Sequence, residues 1–296
     1  MGNLKFYIVD VFAEQKYAGN QLAVIRGAEG LSTDEMQTLA LEMYYSETTF
    51  IPTDGMRDGG FDVRIFTSDT EMPFAGHPTL GTAFVVNQFI LPEPAKKVIL
   101  NEKVGPIPVT FGDDGVLWMR QNPPTFGETF DHAEIASIIG LAPEQLDSRF
   151  PVQIVSTGIP FTIVPLTTLY AAQHIKIDWD RFNALMNPHV IGSALNGILV
   201  FSPEPYEAEN DLNARVLFDT PTMPEDPATG AAQGPLASYL SKHHYFGTDA
   251  VDCRVEQGYE MRRPSLIMLK AHDKGEHIEV NVGGRVQMVA EGELIR

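Results

Sequence analysis

The 296-residue chain carries 21 basic and 39 acidic residues, a formal charge of −18, with 44% hydrophobic and 20% charged residues. That is the composition of a globular protein with its own core, and the negative balance argues against a nucleic-acid partner because it repels phosphate backbones. Cys253 is the only cysteine, so no intrachain disulfide can form, and with no oxidising-compartment signature a cytoplasmic location is expected.

From Met1 to Phe12 the chain alternates like a strand and lacks a basic n-region ahead of an apolar core, so it is not read as a signal peptide. No run reaches the roughly 18 apolar residues of a membrane helix. The richest is Leu80 to Leu91, and no membrane partner is expected. Short strand-like runs lie at Lys5–Phe12, Gln21–Arg26, Thr48–Pro52, Phe61–Thr67, Lys97–Leu100 and Val116–Arg120, with turn chemistry at Gly112-Asp113-Asp114-Gly115 and Gly283-Gly284. A helix over Ser32–Tyr45 opens on a Ser32-x-x-Glu35 capping box and spaces Met36, Leu39, Ala40 and Met43 on one face. Further helices are predicted over His77–Gln88, Asp131–Ile139 and Asp226–Ser241. Many hairpins and few helices predict an α+β fold with mixed or antiparallel sheets around helices rather than a doubly wound parallel sheet.

An internal repeat refines this. His77-Pro-Thr-Leu-Gly-Thr-Ala aligns with Asp226-Pro-Ala-Thr-Gly-Ala-Ala, each copy following a Met-Pro pair and a strand ending in Phe66 or Phe218. A weaker echo pairs Gly19-Asn-Gln-Leu-Ala-Val-Ile with Gly158-Ile-Pro-Phe-Thr-Ile-Val. Two pseudo-symmetric halves are expected, each a sheet or barrel wrapped around a central helix. The boundary is set at the Pro123-Pro124 segment: 1–122 and 123–296, with the last strand, about 285–296, packing back onto the first half.

In both copies a polar residue precedes proline at a helix start, which puts His77 and Asp226 at N-cap-like positions among unpaired N–H groups. Two such starts facing one another would cradle a substrate carboxylate and stabilise charge when an adjacent carbon loses a proton. Taken alone, Asp226 reads first as ordinary capping and His77 as a turn residue; the repeat shifts the balance toward function. Glu47, in Tyr45-Ser46-Glu47-Thr48-Thr49-Phe50, sits where a helix gives way to a strand. Such an acid is ordinarily solvated, but semi-buried it could shuttle a proton as base and then acid.

These residues resemble the PhzF family. Asp10-Val-Phe, Gly19-Asn20, Ser46-Glu47-Thr48-Thr49-Phe50, Phe66-Thr67 leading to Gly76-His77, Ser156-Thr157-Gly158 and Glu225-Asp226-Pro-Ala-Thr-Gly230 follow its ordered motifs from about residue 6 to the C-terminus. The resemblance implies a diaminopimelate-epimerase-like fold of two similar domains, an active site in the cleft between them, a homodimer, and no cofactor. It implies Glu47 as the proton shuttle, His77 and Asp226 as assisting groups, and carboxylate binding at Gly76, His77, Gly230 and Ala231, with Asn20 among the substrate-binding residues. The phenazine enzyme isomerises trans-2,3-dihydro-3-hydroxyanthranilate and carries Ser where this chain has Ala231, which points to a different small carboxylate. The two-cysteine racemases of the same fold need a thiol from each half, and a single Cys253 excludes that chemistry.

Metal spacing, phosphate loops and serine-nucleophile motifs are absent, so metal and cofactor are both set at none. Arg215 reads as a structural ion-pair partner, and Gly258-Tyr259 as a turn. The expected activity is isomerisation of a small carboxylate, dihydrohydroxyanthranilate-like or amino-acid-like. The alternatives are a non-thiol amino-acid epimerase and a non-catalytic metabolite-binding protein on the same fold.

Overall fold

The computed structural model describes residues 4–188, 197–221 and 223–295. The chain forms two compact units, 1–120 with 283–296 and 121–282.

The first unit runs β1 (Leu4–Val11), β2 (Asn20–Arg26), α1 (Thr33–Met43), β3 (Glu47–Ile51), β4 (Phe61–Asp62), β5 (Arg64–Phe66), β6 (Glu71–Met72), α2 (Gly76–Val85), β7 (Lys97–Glu102), β8 (Gly105–Phe111) and β9 (Leu117–Arg120). The second runs β10 (Thr125–Phe130), α3 (His132–Ile138), β11 (Val152–Ser156), β12 (Pro160–Pro165), α4 (Leu169–Gln173), α5 (Trp179–Met186), β13 (Gly197–Ser202), β14 (Leu212–Leu217), β15 (Glu225–Asp226), α6 (Gly230–Lys242), β16 (Val251–Gln257), β17 (Ser265–Asp273) and β18 (Ile278–Gly284). The last strand, β19 (Val286–Leu294), lies antiparallel to β1 in the first unit. The fold is α+β, as expected. Among the described residues no helix is long and apolar enough to cross a membrane.

Each unit wraps its strands on one buried helix. In α2 nine of the ten residues, Gly76 to Ala83 and Val85, are buried, and the helix packs on β1, β2, β3, β7, β8 and β9. Gly81 makes that contact possible: a Cβ there would come within 2.6 Å of Leu22 and 2.9 Å of Val11. In the second unit α6 packs on β11, β12, β16 and β17. Its Pro235, the sixth residue, lies inside the helix and cannot donate to the preceding turn. The capping box predicted for α1 is present, with Ser32 Oγ accepting from Glu35 N and Glu35 Oε2 accepting from Ser32 N at 2.8 Å. Two short helices not expected from the sequence, α4 and α5, are capped by Thr168 and Asp178. Gly283-Gly284 ends β18 instead of forming a turn; Gly283 lies against the Trp118 ring, where a Cβ would approach within 2.6 Å.

The strand registers define the internal repeat more closely than the sequence does. In the first unit β1 and β2 are antiparallel, β2 and β3 parallel, and β3, β5 and β6 antiparallel; β11 to β15 repeat this order and these senses. Leu22 faces Glu47 across the parallel pair, and Phe161 faces Gly197. Phe50 faces Arg64, and Val200 faces Arg215. Phe66 faces Glu71, and Leu217 faces Glu225. The equivalent residues are therefore Glu47 and Gly197, Arg64 and Arg215, Glu71 and Glu225, with both central helices starting on glycine, Gly76 and Gly230.

This corrects the repeat read from the sequence. The equivalent segments are Glu71-Met-Pro-Phe-Ala-Gly76 and Glu225-Asp-Pro-Ala-Thr-Gly230, so His77 corresponds to Ala231, and Asp226 to Met72. The His77-Pro78 and Asp226-Pro227 match is out of register. Asp226 lies in β15, ahead of the α6 N-cap Thr229, and His77 is the second residue of α2 behind N-cap Ala75.

The equivalent ion pairs differ in burial. Arg215 and Glu225 meet at 2.8 Å with side chains 10% and 14% exposed, and Glu260 lies 3.8 Å from Arg215. Arg64 and Glu71 meet at 2.7 Å but are 30% and 22% exposed. Arg215→Met strands two half-buried acids beside a buried position and is expected to cost about 3–5 kcal/mol, whereas Arg64→Met should cost about 1 kcal/mol. Urea unfolding of both variants checks this, and equal losses would contradict it.

Candidate active site

Glu47 opens β3 after a tight reversal at the end of α1. Tyr44, with φ 54°, closes the helix in the left-handed conformation and donates its N–H to Ala40 O. The four residues after Glu47 are buried, which fixes the strand and leaves Glu47 at its rim, its side chain 15% exposed. Thr49 Oγ1 and Thr82 Oγ1, 2.8 Å apart, tie β3 to α2. That cross-link holds Glu47 and His77 in one frame.

His77 is 4% exposed. Its Nε2 lies 3.4 Å from Glu47 Oε2, and its Nδ1 lies 3.3 Å from Asn20 Nδ2. Asn20 is delivered by Gly19, whose φ is +68° and whose Cβ, if present, would come within 2.3 Å of Val11 O. Burial pushes the His77 pKa down to about 3, against a hydrogen bond to the Gln21 backbone that raises it. The ring is therefore neutral at ordinary pH, and its contact with Glu47 is that of a carboxyl group with a neutral imidazole, not of two charges. Thr79 N donates to Ala75 O at 3.2 Å. The N–H groups of Gly76 and His77 precede it in the first turn, where the helix itself supplies no acceptor.

The second unit builds a different cluster on the same frame. Asp226 is 5% exposed, and its Oδ2 accepts from Thr229 Oγ1 at 2.6 Å. Gln257 donates through Nε2 to Asp226 O at 2.7 Å and to Thr229 Oγ1 at 3.0 Å. Its Oε1 accepts from Thr229 N at 3.2 Å and Gln233 Nε2 at 2.9 Å. Gly258, at φ +78°, turns the chain directly against Pro227, where a Cβ would come within 2.5 Å of Pro227 O. The Gly230 carbonyl accepts from Gln121 Nε2 at 2.8 Å, and Gln121 Oε1 accepts from Thr157 Oγ1 at 2.6 Å. Thr229 O accepts from Ala232 N and Gln233 N, which leaves Gly230 and Ala231 in the first turn of α6.

Of the residues singled out in the sequence, the structure brings Glu47, His77 and Asn20 together, with Gly76 beside them. Asp226, Gly230 and Ala231 group in the second unit. Sequence reasoning missed Thr79, Glu102, Gln121, Gln233 and Gln257, which hold the helix starts. Their signal was the Glu-x-Pro-x-x-Gly repeat, which leads to Glu102 and Gln257 at equivalent places: Leu100 faces Phe61 across parallel strands as Val255 faces Leu212. Arg215 is a structural ion-pair partner, donating through Nη1 to Ala172 O at 2.7 Å as well as binding Glu225.

Residues 9–292 match the model of the phenazine biosynthesis-like proteins, PhzC-PhzF. An uncharacterized isomerase of Mesorhizobium japonicum is 32% identical, over 99% of both chains. A trans-2,3-dihydro-3-hydroxyanthranilate isomerase of Pseudomonas aeruginosa is 31% identical, over 97% of this chain and 98% of that one. The crystal structure of a PhzF-family phenazine biosynthesis protein from Bacillus anthracis superposes with a TM-score of 0.87 over 100% of both chains, at 25% identity.

Neutrality of His77 has a measurable consequence. Its folded pKa, about 3, lies below the unfolded value near 6.5. Between those values the unfolded chain binds the extra proton, so stability is full above pH 6.5 and falls as pH drops, by up to about 1.4 kcal/mol per unit for this one group. His77→Asn should flatten the slope of unfolding free energy between pH 6.5 and 4.5 by up to that amount. Parallel slopes in urea titrations of wild type and variant would show a ring that titrates normally.

Proposed function

This chain belongs to the phenazine biosynthesis-like (PhzC-PhzF) family of isomerases, and we propose that it moves a proton between carbons of a small carboxylate, with Glu47 as the single acid/base group. The observation that carries this reading is the broken equivalence of Glu47. At the matching strand position of the second unit stands Gly197, where a Cβ would lie 2.5 Å from Phe161 and 2.9 Å from Phe218. No second carboxylate fits there, so the frame supports one base returning the proton it removed.

In the proposed reaction the Glu47 carboxylate takes a proton from a C–H made acidic by the substrate's conjugated carboxyl group. The electron pair delocalises toward that group, and the protonated Glu47 then delivers the proton to a second carbon of the conjugated system. The neutral His77 beside it serves as a hydrogen-bonding partner for the carboxyl, and Asn20 orients the ring. The first-turn N–H groups of Gly76 and His77, and of Gly230 and Ala231, are suited to the substrate carboxylate and to charge developing on it. Asp226 of the second unit is assigned an assisting role. A dihydrohydroxyanthranilate-like or amino-acid-like compound fits this chemistry, and the methyl group of Ala231 leaves one hydroxyl donor fewer than the phenazine enzyme offers. Family membership supports a homodimer working without a cofactor.

Glu47→Gln in deuterated water tests the reading. With a panel of small carboxylates including dihydrohydroxyanthranilate, wild type should place deuterium at one carbon of one compound, read by NMR and mass spectrometry. Glu47→Gln should lose about 10²–10⁴-fold of that rate while staying folded, and Asp226→Asn should lose a smaller factor. Wild-type exchange in Glu47→Gln, or none in folded wild type across the panel, would overturn the assignment.

A further inference from the structure

Glu102 ends β7 beneath the start of α2 and is 6% exposed. Thr79 Oγ1 lies between two oxygens, 2.8 Å from Ala75 O and 2.6 Å from Glu102 Oε1. A threonine hydroxyl has one hydrogen to donate. If Glu102 were ionised, two acceptors would compete for that hydrogen, and one buried oxygen would face another at hydrogen-bond distance without a proton between them. Glu102 Oε2 is buried and has no hydrogen-bond partner among the described residues, so no donor there compensates a carboxylate charge. Among the charged neighbours, Arg57 is engaged by Asp62 at 2.7 Å and Arg64 by Glu71 at 2.7 Å. These four line, with Lys103 and Glu102, a cavity of about 370 Å³. His77, on the facing helix, is neutral.

The second unit shows which chemistry the position takes. The residue equivalent to Glu102 is Gln257, and Thr79 is matched by Gln233, each the fourth residue of its helix. Gln257 both donates and accepts there, to Asp226 O and from Gln233 Nε2. An amide and a carboxylic acid have nearly the same shape, and both offer a donor and an acceptor; a carboxylate offers acceptors only.

We propose that Glu102 is held as a neutral carboxylic acid that donates to Thr79 Oγ1, freeing Thr79 to donate to Ala75 O, and that this pair of bonds positions the first turn of α2 for the reaction. Glu102 is thus a positioning residue: it acts through Thr79 on the turn that carries Gly76 and His77. Burial acts in the same direction, pushing its carboxyl up to about 8. With the folded value above the unfolded one, the proton is retained through neutral pH, and the bond is lost as pH rises through about 8.

The catalytic part of this role rests on the isomerase reading above, but the protonation itself can be tested without substrate. In protein labelled with glutamate ¹³C at the side-chain carboxyl, one resonance should titrate with a midpoint near 8 and be missing from Glu102→Gln. If the resonance lost in that variant titrates in the ordinary glutamate range, the proposal fails whatever the enzyme's substrate. With a substrate in hand, Glu102→Ala should lower proton exchange about tenfold or more at pH 7, and Glu102→Gln should restore it to within about threefold. Wild-type exchange should then fall about tenfold per pH unit above pH 8, and that fall should be absent in Glu102→Gln. A Glu102→Gln variant with the wild-type alkaline fall would overturn the positioning role, and the wild-type titration stays decisive if Glu102→Ala fails to fold.

Discussion

A guanidinium clamped to a carboxylate across a very short hairpin is the constraint on which both halves of this protein depend. The strands β6 and β15 are two residues long and contribute few backbone hydrogen bonds. Arg64 binds Glu71 through both Nε and Nη2, and Arg215 binds Glu225 in the same bidentate way. The clamp fixes the residue at which the Pro-x-x-Gly run leaves the sheet, and so fixes where each central helix begins. Every group assigned to the site in the first unit is placed relative to that start: His77 one residue after it, Thr79 and Glu102 beneath it, and Glu47 on the strand cross-linked to it by Thr49 and Thr82.

The two units share a frame but not a chemistry. At four equivalent positions the first carries Glu47, Met72, His77 and Glu102, where the second carries Gly197, Asp226, Ala231 and Gln257. Three of these exchanges have a physical footing. Gly197 is forced by the edges of Phe161 and Phe218, and Ala231 opens α6 without a ring to bury. Gln257 can satisfy four partners as an amide. Duplicated architecture thus leaves one unit with an ionisable group beside a neutral ring, and the other with a hydrogen-bonded cluster around Asp226, Thr229 and Gln257. A symmetric two-base reaction would need the same group in both places.

Much of this was legible in the sequence because it is local. The Ser32 capping box and the strand that begins beside Glu47 both follow from short-range chemistry. The repeat was legible too, but in the wrong register. Asp226-Pro227 imitates the start of a helix, and nothing in the two residues reveals that Asp226 is bridged to Val216 in a sheet. Matching it to His77-Pro78 then shifted the second helix start by several residues. Glu102 was missed for a related reason: Asn101-Glu102-Lys103 reads as a solvated turn, and its burial comes from α2 and β4, which are distant in sequence. The helices α4 and α5 lay in a stretch whose capping residues, Thr168 and Asp178, were overlooked.

The electrostatic character of the first half-site follows from these placements. The chain carries a formal charge of −18, and an anionic substrate approaching such a protein meets repulsion unless the site itself is nearly uncharged. Burial removes the positive charge that His77 could carry, and the proton that Glu102 keeps and donates to Thr79 removes a negative one. What remains near the start of α2, among the described residues, is the Glu47 carboxyl, the Arg64-paired Glu71 and the N–H groups of the first turn. In that setting the helix dipole favours an anion at the first turn. Neutral Glu102 matters for this reason, since a charge in its place would oppose the dipole within one turn of the atoms it must attract. The low charge of the site is thus a product of burial and hydrogen-bond bookkeeping rather than of residue type, and for that reason composition gives no hint of it.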